Sequence, residues 1–384
     1  MKTSVHNCGC SKTNEPVPNA YRQESRICLT APADEIATSR TFHRTFIVGI
    51  VHTSAGAIPQ IATHLKLSDY VGAVRVRWGI GRDRYRVEPG LYAVGTPNER
   101  SDVIVTANYK LTFDTVRKNL AGLNAWLLVL DTKGVNVWCA AGKGTFGTEE
   151  LVGRIRLTSL EKLVIHRRLI LPQLGATGVA AHLVKKASGF AVLYGPIRAS
   201  DIPSFMQAGY RASNEMRLVS FTWYERLKLT PNDFISGIRY LLAAVLVYTL
   251  LSGINRTGIS FQQSASHAAI TCINIGAAYF AGIVLTPLLL PFIPLRMFAF
   301  KGYVVGLFLS MILALSGMLG VSLLRNLSWS LLISAISSFM AMNFTGSSTY
   351  TSLSGVKKEM RRAVPVQIIS VALASILMIT SNIL

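Results

Sequence analysis

A cysteine followed by small residues is the part of this sequence best suited to bind a ligand. Cys139 lies shortly after the apolar run Trp126–Leu130. Asn136 is a good N-cap, so the spacing predicts a helix whose third residue is Cys139. The positive end of that helix and Lys143, one turn further on, both favour the thiolate. The next side chains are small enough to let a large planar ligand approach; they belong to Ala140, Ala141 and Gly142.

Three alternatives exist for this segment. Gly142, Gly144 and Gly147 match a dinucleotide fingerprint, but about ten residues separate them from the strand that such a fingerprint should follow directly. A phosphate-binding loop would need a glycine where the sequence has Val137. Cys139 could also be a buried structural thiol, as isolated cysteines commonly are. The capped, glycine-rich context favours ligand binding without excluding that last alternative.

Two further groups of residues follow apolar runs and are secondary ligand candidates. The first group is Thr106, Asn108 and Thr112, and the second is Gly175, Ala176, Gly178 and Val179. Ligands of open α/β sheets bind at the carboxyl ends of the strands, where both groups are predicted to lie. The polar side chains of the first group could equally cap the next helix. The second group could offer backbone N–H groups to a ligand or form a tight packing turn.

Strand-like and helix-like segments alternate before residue 226. The predicted strands are Thr45–Val51, Val71–Ile80, Val103–Thr106, Trp126–Leu130 and Phe190–Tyr194. The predicted helices are Thr112–Ala121, the first part of Leu151–His166, and Val179–Ala187. Val71–Ile80 is assigned as a half-exposed strand because valine and arginine alternate there. The alternation predicts a Rossmann-like α/β domain with a mostly parallel sheet and flanking helices.

The composition excludes a disordered chain and an ordinary soluble enzyme. Half of the residues are hydrophobic, only 15% are charged, and the net charge is +20. Five apolar stretches near the length of a membrane span follow residue 237: Ile238–Ile254, Ala268–Leu290, Met297–Leu324, Trp329–Phe344 and Ala363–Leu384. None has a charged residue near its middle, which favours an all-α anchoring or docking bundle over an ion-coupled transporter.

The charge distribution predicts how the chain crosses the membrane. The densest basic cluster after residue 237 comprises Lys357, Lys358, Arg361 and Arg362, before the last span. The positive-inside rule places this cluster in the cytoplasm, so five spans place the head there too and the C-terminus outside. The predicted organisation is a flexible tail (1–41), a cytoplasmic head (42–226), a linker (227–236) with Pro231, and a transmembrane domain (237–384) in the cytoplasmic membrane.

Several segments of this chain resemble the mercury-methylating corrinoid proteins, the HgcA family. The most specific segment is Asn136–Lys143, which resembles the cap helix of that family. The other resembling segments are Arg77–Arg82, Pro89–Gly95, Thr106–Asp114, Leu171–His182 and Tyr194–Pro196. With the five predicted spans, the resemblance covers roughly residues 42–384. The head alone also resembles the large subunit of the corrinoid iron–sulfur protein, although this chain has no run of four cysteines for a cluster.

The resemblance implies a cobalamin-type corrinoid as cofactor and Cys139 as the lower axial ligand of its cobalt. It implies corrinoid contacts from Asn136, Val137, Trp138, Cys139, Ala140, Ala141, Gly142, Lys143, Gly144 and Thr145. It further implies a methyl-folate-linked methyltransferase as donor, Hg(II) as acceptor and a ferredoxin-like 4Fe–4S protein as reductant. The expected activity is therefore corrinoid-dependent methylation of mercury.

Two other functions remain open at the level of the sequence. One is a membrane-tethered corrinoid methyl carrier of one-carbon or acetyl-CoA metabolism, which differs from the first only in its acceptor. The other is a transporter with a regulatory soluble domain. Nucleic acid is not an expected partner, because the segment with the arginines between Arg75 and Arg86 matches no known nucleic-acid-binding module. Cys8 and Cys10 could collect soft metal ions or belong to an unstructured tail.

Overall fold

The computed structural model describes residues 44–345 and 353–384, and these form two compact units. The first unit contains the described residues up to Leu65 together with Arg86–Arg211. The second contains Lys66–Tyr85 together with Ala212–Leu384. The predicted tail, with Cys8 and Cys10, lies outside the described residues.

The first unit is built on one sheet of seven strands. These are β1 (Ile47–Thr53), β2 (Gly56–Ile61), β3 (Gly90–Val94), β4 (Val103–Ala107), β5 (Ala125–Leu130), β6 (Arg168–Leu171) and β7 (Ala191–Tyr194). Their order is β1-β2-β3-β5-β4-β6-β7. Strands β4 to β7 are parallel to one another, whereas β3 runs antiparallel to β5 and β1 antiparallel to β2. The predicted mostly parallel α/β sheet is therefore confirmed.

The central strands are apolar except for Thr106 in β4, because both of their faces are covered. Every residue of β4 and β5 is buried, as expected for inner strands of a covered parallel sheet. The helices up to residue 211 are α1 (Leu67–Arg77), α2 (Lys110–Asn119), α3 (Val137–Lys143), α4 (Thr148–Leu157), α5 (Leu160–Leu163), α6 (Ala181–Ser188) and α7 (Ile202–Gln207). Strand β7 is only half-buried, unlike the buried strand predicted there, because it lies at the edge of the sheet.

The second unit contains five helical segments long and apolar enough to cross a membrane. Its helices after residue 211 are α8 (Trp223–Leu227), α9 (Thr230–Leu251), α10 (Phe261–Phe280), α11 (Thr286–Leu289), α12 (Phe298–Leu315), α13 (Leu323–Phe344) and α14 (Leu353–Ile383). A π-helical turn, Ala281–Leu285, joins α10 to α11. A short hairpin of β8 (Ile254–Asn255) and β9 (Gly258–Ile259) connects α9 to α10. The number of apolar spans predicted from the sequence is confirmed.

Two local predictions were wrong, namely one strand and the end of one apolar stretch. Val71–Ile80 is not a strand, because α1 occupies Leu67–Arg77 and belongs to the second unit. The predicted linker is largely helical, since Pro231 lies in the first turn of α9, where its missing N–H leaves no hydrogen bond unmade. The third apolar stretch ends as a helix at Leu315 rather than Leu324, and Gly317 and Gly320 follow with positive φ.

Candidate functional site

The carboxyl ends of β4, β5 and β6 meet at one edge of the sheet. Strand β4 lies between β5 and β6, and its outgoing connection leads to β5, whereas that of β6 leads to β7. Neighbouring strands whose connections diverge in this way form the crevice where open α/β sheets bind ligands. The helix with the cysteine, α3, follows β5. It contacts the turn after β6, so it extends past the end of β4.

Asn108 organises the loop that leads into α3. This side chain is 1% exposed. Its Oδ1 accepts hydrogen bonds from the backbone N–H of Thr132 at 3.1 Å, from the Thr132 hydroxyl at 2.8 Å and from the Gly134 N–H at 3.0 Å. Its Nδ2 donates to Asp131 Oδ1 at 3.0 Å. Asn108 therefore holds the β5–α3 loop in place instead of capping the next helix, and the sequence analysis missed its partner Thr132.

Residues around this loop also keep the Asp131 side chain ionised. Its carboxylate accepts hydrogen bonds from the backbone N–H of Lys133 at 3.1 Å and from Lys133 Nζ at 2.7 Å. Burial raises the pKa of Asp131, but the hydrogen bonds and positive charge of Lys133, together with the donor of Asn108, outweigh it. The pKa is held below its usual value of 3.8. Asp131 is therefore a fixed anion at neutral pH rather than a general acid.

The predicted helix with Cys139 in its first turn forms as α3. The Asn136 side chain accepts a hydrogen bond from the Cys139 N–H at 2.9 Å, and Gly144 ends the helix in the left-handed conformation with φ 81°. Val137, Ala140 and Ala141 are buried and join the core above the sheet. The local sequence therefore determines both ends of this helix and the face that packs on the sheet.

The opposite face of α3 is open. Cys139 is half-buried with a free thiol, and Gly142 and Lys143, three and four residues later, are exposed. A Cβ atom built on Gly142 or on Gly144 meets no atom within 4 Å. Trp138 is half-buried and is not part of the core cluster, so it is not the core anchor considered from the sequence. Cys139 is likewise not a fully buried structural thiol, and Thr145 is half-buried beside this face.

The glycines of the turn after β6 pack closely against α3 and its following loop. A Cβ on Gly178 would lie 2.2 Å from the carbonyl oxygen of Phe146 and 2.9 Å from the Cα of Ala141. A Cβ on Gly175 would lie 2.5 Å from the Phe146 ring. Val179 is buried, whereas Ala176 is half-buried. Of the two roles considered for this segment, tight packing is the one these contacts favour.

Thr106 and Thr112 are not brought together with Cys139. Side chains alternate across a strand, and Val105 and Ala107 belong to the core cluster that contains the buried face of α3. Thr106 therefore lies on the other face of the sheet, where its buried hydroxyl has no hydrogen-bond partner among the described residues. Thr112 lies in the first turn of α2, whose buried Phe113 and Val116 are also absent from that cluster.

The end of β7 is tied to the same turn. The Tyr194 hydroxyl donates to the carbonyl oxygen of Val179 at 2.5 Å, and the Thr148 hydroxyl accepts from the Ala180 N–H at 2.9 Å. Burial raises the pKa of Tyr194, so it stays a neutral donor. Across the described residues, no group of three or more His, Cys, Asp or Glu side chains could hold a metal ion.

Comparison with known proteins gives matches over the part of the chain that forms this edge. Residues 80–206 match the family described as CO dehydrogenase/acetyl-CoA synthase delta subunit. The chain is 38% identical over 128 residues to the acetyl-CoA decarbonylase/synthase complex subunit gamma of Methanopyrus kandleri, covering 33% of this chain and 27% of that subunit. It is 34% identical over 125 residues to the corrinoid/iron–sulfur protein large subunit of Moorella thermoacetica, covering 32% and 28%.

Residues 80–206 resemble corrinoid and acetyl-CoA-complex proteins. The subunit gamma of Archaeoglobus fulgidus gives a similar match, 34% identical over 131 residues and covering 34% of this chain and 27% of that one. The chain spans about a quarter of the length of these relatives. The matched residues include β3 to β7 and therefore α3 with Cys139, but none of the apolar spans.

Proposed function

We propose that the first unit binds a cobalt corrinoid against the open face of α3 and that the protein acts in methyl transfer. The observation that carries this proposal is the open face itself, with a free thiol beside two glycines whose Cβ positions are empty. The similarity of residues 80–206 to a corrinoid protein supports the same cofactor. Side chains larger than these would keep a planar macrocycle away from the sulfur.

The residues present fit a corrinoid. A corrin ring would bring four nitrogen ligands to its cobalt, and Cys139 would be the side chain on this face that could add a sulfur donor. Gly142 and Gly144 leave space for the ring, while Asn108 and Asn136 fix the loop and the helix start that position the sulfur. Lys143 lies on the same face one turn away and is exposed. When bound, the corrinoid supplies a metal that accepts and releases a methyl group.

The acceptor that the comparisons favour belongs to one-carbon or acetyl-CoA metabolism. Two of the relatives are subunits of acetyl-CoA decarbonylase/synthase complexes. On this proposal the chain is a membrane-tethered corrinoid methyl carrier that receives its methyl group from a methyl-folate-linked methyltransferase. A ferredoxin-like 4Fe–4S protein would supply electrons, because the chain has five scattered cysteines and no run that could hold a cluster.

Mercuric ion is the second candidate acceptor, and the sulfur of Cys139 is the observation that favours it. Transfer to Hg(II) requires the methyl group to depart with more electron density than transfer to a nucleophile does. An axial thiolate donates more charge to a metal than a neutral nitrogen ligand does. Cys139 would thereby extend the range of acceptors to soft, electron-poor metal ions. The resemblance of Asn136–Lys143 to the HgcA cap helix agrees with this possibility.

The second unit would place this chemistry at the cytoplasmic membrane. Lys357, Lys358, Arg361 and Arg362 precede the apolar part of α14, and the positive-inside rule would keep them in the cytoplasm. With five spans, the first unit would lie on the same side and the C-terminus outside. Protease digestion of sealed vesicles tests this topology: a C-terminal tag is expected to be cleaved from the outer side while the first unit stays protected.

The optical spectrum of the full chain reconstituted with cobalamin tests the sulfur ligand. The wild-type protein is expected to show a shifted cobalt band that Cys139→Ala abolishes and Cys139→His replaces with a different one. Cys272→Ala is the matched control, because Cys272 is the other described cysteine and lies in α10. An identical spectrum for wild type and Cys139→Ala would refute sulfur ligation.

The acceptor is tested with an isotopically labelled methyl group on the reconstituted protein. Labelled methylmercury should form with Hg(II) and fall strongly in Cys139→Ala if mercury is an acceptor. If the protein is a carrier for acetyl-CoA metabolism alone, the label should pass to a nickel acceptor subunit and leave Hg(II) unmethylated. Transfer that proceeds to both acceptors at similar rates would show a carrier that accepts mercury as an additional substrate.

A further inference from the structure

Helix α1 carries an exposed apolar stripe along one side. The stripe comprises Leu67, Tyr70, Val71, Val74 and Trp78, with exposed fractions from 42% for Trp78 to 79% for Leu67. At about 100° per residue, these five positions fall within roughly 100° of one another around the helix axis. An apolar surface of this shape on a helix is the type that either meets another molecule or lies in a membrane interface.

The opposite side of α1 is buried. Asp69 and Val76 are 5% and 2% exposed. The Asp69 carboxylate accepts a hydrogen bond from the Lys66 N–H at 3.0 Å at the start of the helix. A Cβ on Gly72 would lie 2.5 Å from the hydroxyl of Tyr85, so the helix and the turn that follows it are in close contact. The apolar stripe is therefore the outer side of a packed element.

Basic side chains border the stripe. Arg75 and Arg77 lie about 80° to either side of its centre, and Arg82 and Arg84 are exposed in the turn that follows. The segment 66–85 contains five basic residues and two acidic ones, of which Asp69 is buried and Asp83 is exposed. An apolar stripe with arginines on both borders is complementary to an anionic lipid surface, since the arginines reach the headgroups while the stripe lies among the upper acyl chains.

Contacts within the second unit place α1 beside the start of the first apolar span. The guanidinium of Arg82 donates to Asn232 Oδ1 at 2.9 Å, and the rings of Trp78 and Phe234 meet edge to face at 6.5 Å between centroids. Asn232 and Phe234 lie in the first two turns of α9, ahead of its continuous apolar stretch. Exposed Trp223 and Tyr224 just before α9 are residues typical of a membrane–water interface. The stripe therefore continues the surface at which the span begins.

We infer that the stripe of α1 lies in the anionic lipid interface next to the first span. This inference rests on the proposal that α9 crosses the membrane. The chain leaves the first unit after Leu65 and returns at Arg86. Anchoring α1 therefore gives the sheet a second covalent attachment to the membrane, between β2 and β3, in addition to the connection after Arg211.

Depth-dependent quenching on the full chain in lipid nanodiscs tests the inference. A fluorophore is attached to Val71→Cys in a chain whose five native cysteines are replaced, in nanodiscs of phosphatidylcholine with phosphatidylglycerol. Lipids brominated on the upper acyl chain should quench Val71→Cys, whereas aqueous iodide should not. Leu246→Cys, exposed on α9, is the control for a spanning position, and Leu183→Cys, exposed on α6, is the control for a water-facing position.

Three results would contradict the inference or the membrane assignment on which it rests. If Leu246→Cys is quenched by lipid but Val71→Cys responds only to iodide, the interfacial helix is refuted while the spanning helix stands. If Leu246→Cys also responds only to iodide, the membrane assignment of α9 is itself wrong. Protection of Val71→Cys from both quenchers would mean that a protein surface, such as a second copy, covers the stripe, and this too would overturn the inference.

Charge reversal tests the contribution of the arginines. Arg75→Glu combined with Arg77→Glu should lower lipid quenching at Val71→Cys about twofold or more in anionic nanodiscs. The matched control is Lys185→Glu combined with Lys186→Glu, two exposed basic residues of α6, which should leave that quenching unchanged. Equal lipid quenching at Val71→Cys in the two double variants would show that Arg75 and Arg77 do not recognise the negative charge of the lipid surface.

Discussion

The side chain of Asn108 holds Thr132 by two hydrogen bonds, one from the backbone nitrogen at 3.1 Å and one from the hydroxyl at 2.8 Å. These residues follow neighbouring parallel strands, β4 and β5, and a third bond connects Asn108 to Gly134. A single buried amide thus determines where the β5–α3 loop lies. The position of Cys139 depends on that loop. The side chain that positions the proposed cobalt ligand therefore follows β4, whereas the ligand itself lies on α3, which follows β5.

Asn108→Ala should therefore loosen the loop more than it unfolds the domain. Removing the amide leaves the Gly134 N–H without its acceptor, at a cost of about 1–3 kcal/mol. The N–H and the hydroxyl of Thr132 keep the carbonyl oxygens of Leu130 and Val135 as acceptors. Hydrogen exchange measured by mass spectrometry should become faster across residues 131–139, and cobalamin affinity should fall. Asn119→Ala is the control, because its side chain only donates to the Thr115 carbonyl oxygen. Unchanged exchange in residues 131–139 of Asn108→Ala would show that the loop does not need this amide.

Gly178→Ala should displace α3 from the turn after β6. The new methyl group would lie 2.2 Å from the Phe146 carbonyl oxygen and 2.9 Å from the Ala141 Cα, both of them backbone atoms that cannot rotate away. Overpacking of this kind costs about 1–3 kcal/mol. The expected result is a lower apparent melting temperature, measured by tryptophan fluorescence, to which the buried Trp126 contributes. Gly153→Ala is the control, because its Cβ would meet nothing within 4 Å; equal melting temperatures for the two variants would contradict this packing.

Short-range sequence signals were enough to predict some of these features. Asn136 caps α3 three residues before Cys139, so both partners stand in one short segment. Asn108 and Thr132 are 24 residues apart, and their contact requires the pairing of β4 with β5, which no local pattern specifies. The packing of Gly178 on Ala141 likewise depends on the order of β5, β4 and β6 in the sheet.

The error at α1 has a different origin. Val74, Arg75, Val76 and Arg77 alternate with the period of a strand, but Leu67, Val71, Val74 and Trp78 repeat with the period of a helix. The helical repeat is visible only over the longer segment 67–78. The strand pattern was chosen instead because the apolar residues of the helical repeat face outward, where a water-soluble domain would have polar side chains.

Gly142→Ala separates the stability of α3 from its proposed ligand site. A Cβ at this position meets no protein atom, so alanine should stabilise the helix by about 0.5–1 kcal/mol through its higher helix propensity. The same methyl group would occupy the face proposed for the corrinoid and should weaken cobalamin binding. The melting temperature measured by calorimetry should then rise, whereas the cobalamin affinity measured by titration should fall. If affinity stays at the wild-type value, the corrinoid does not lie against Gly142.

Asp131 gives the loop a dependence on pH whose sign follows from its pKa. Lys133 and Asn108 lower that pKa in spite of burial, so the unfolded chain binds more protons than the folded one between the folded value and 3.8. The stabilisation is complete above the unfolded value and is lost as the pH falls through the lower folded one. Exchange across residues 128–139, corrected for the intrinsic rate, should thus accelerate in acid in the wild type. In Asp131→Asn the protection should be lower at neutral pH and change less on acidification, whereas Asp201→Asn should behave like the wild type. Parallel pH profiles for wild type and Asp131→Asn would show that this carboxylate does not hold the loop.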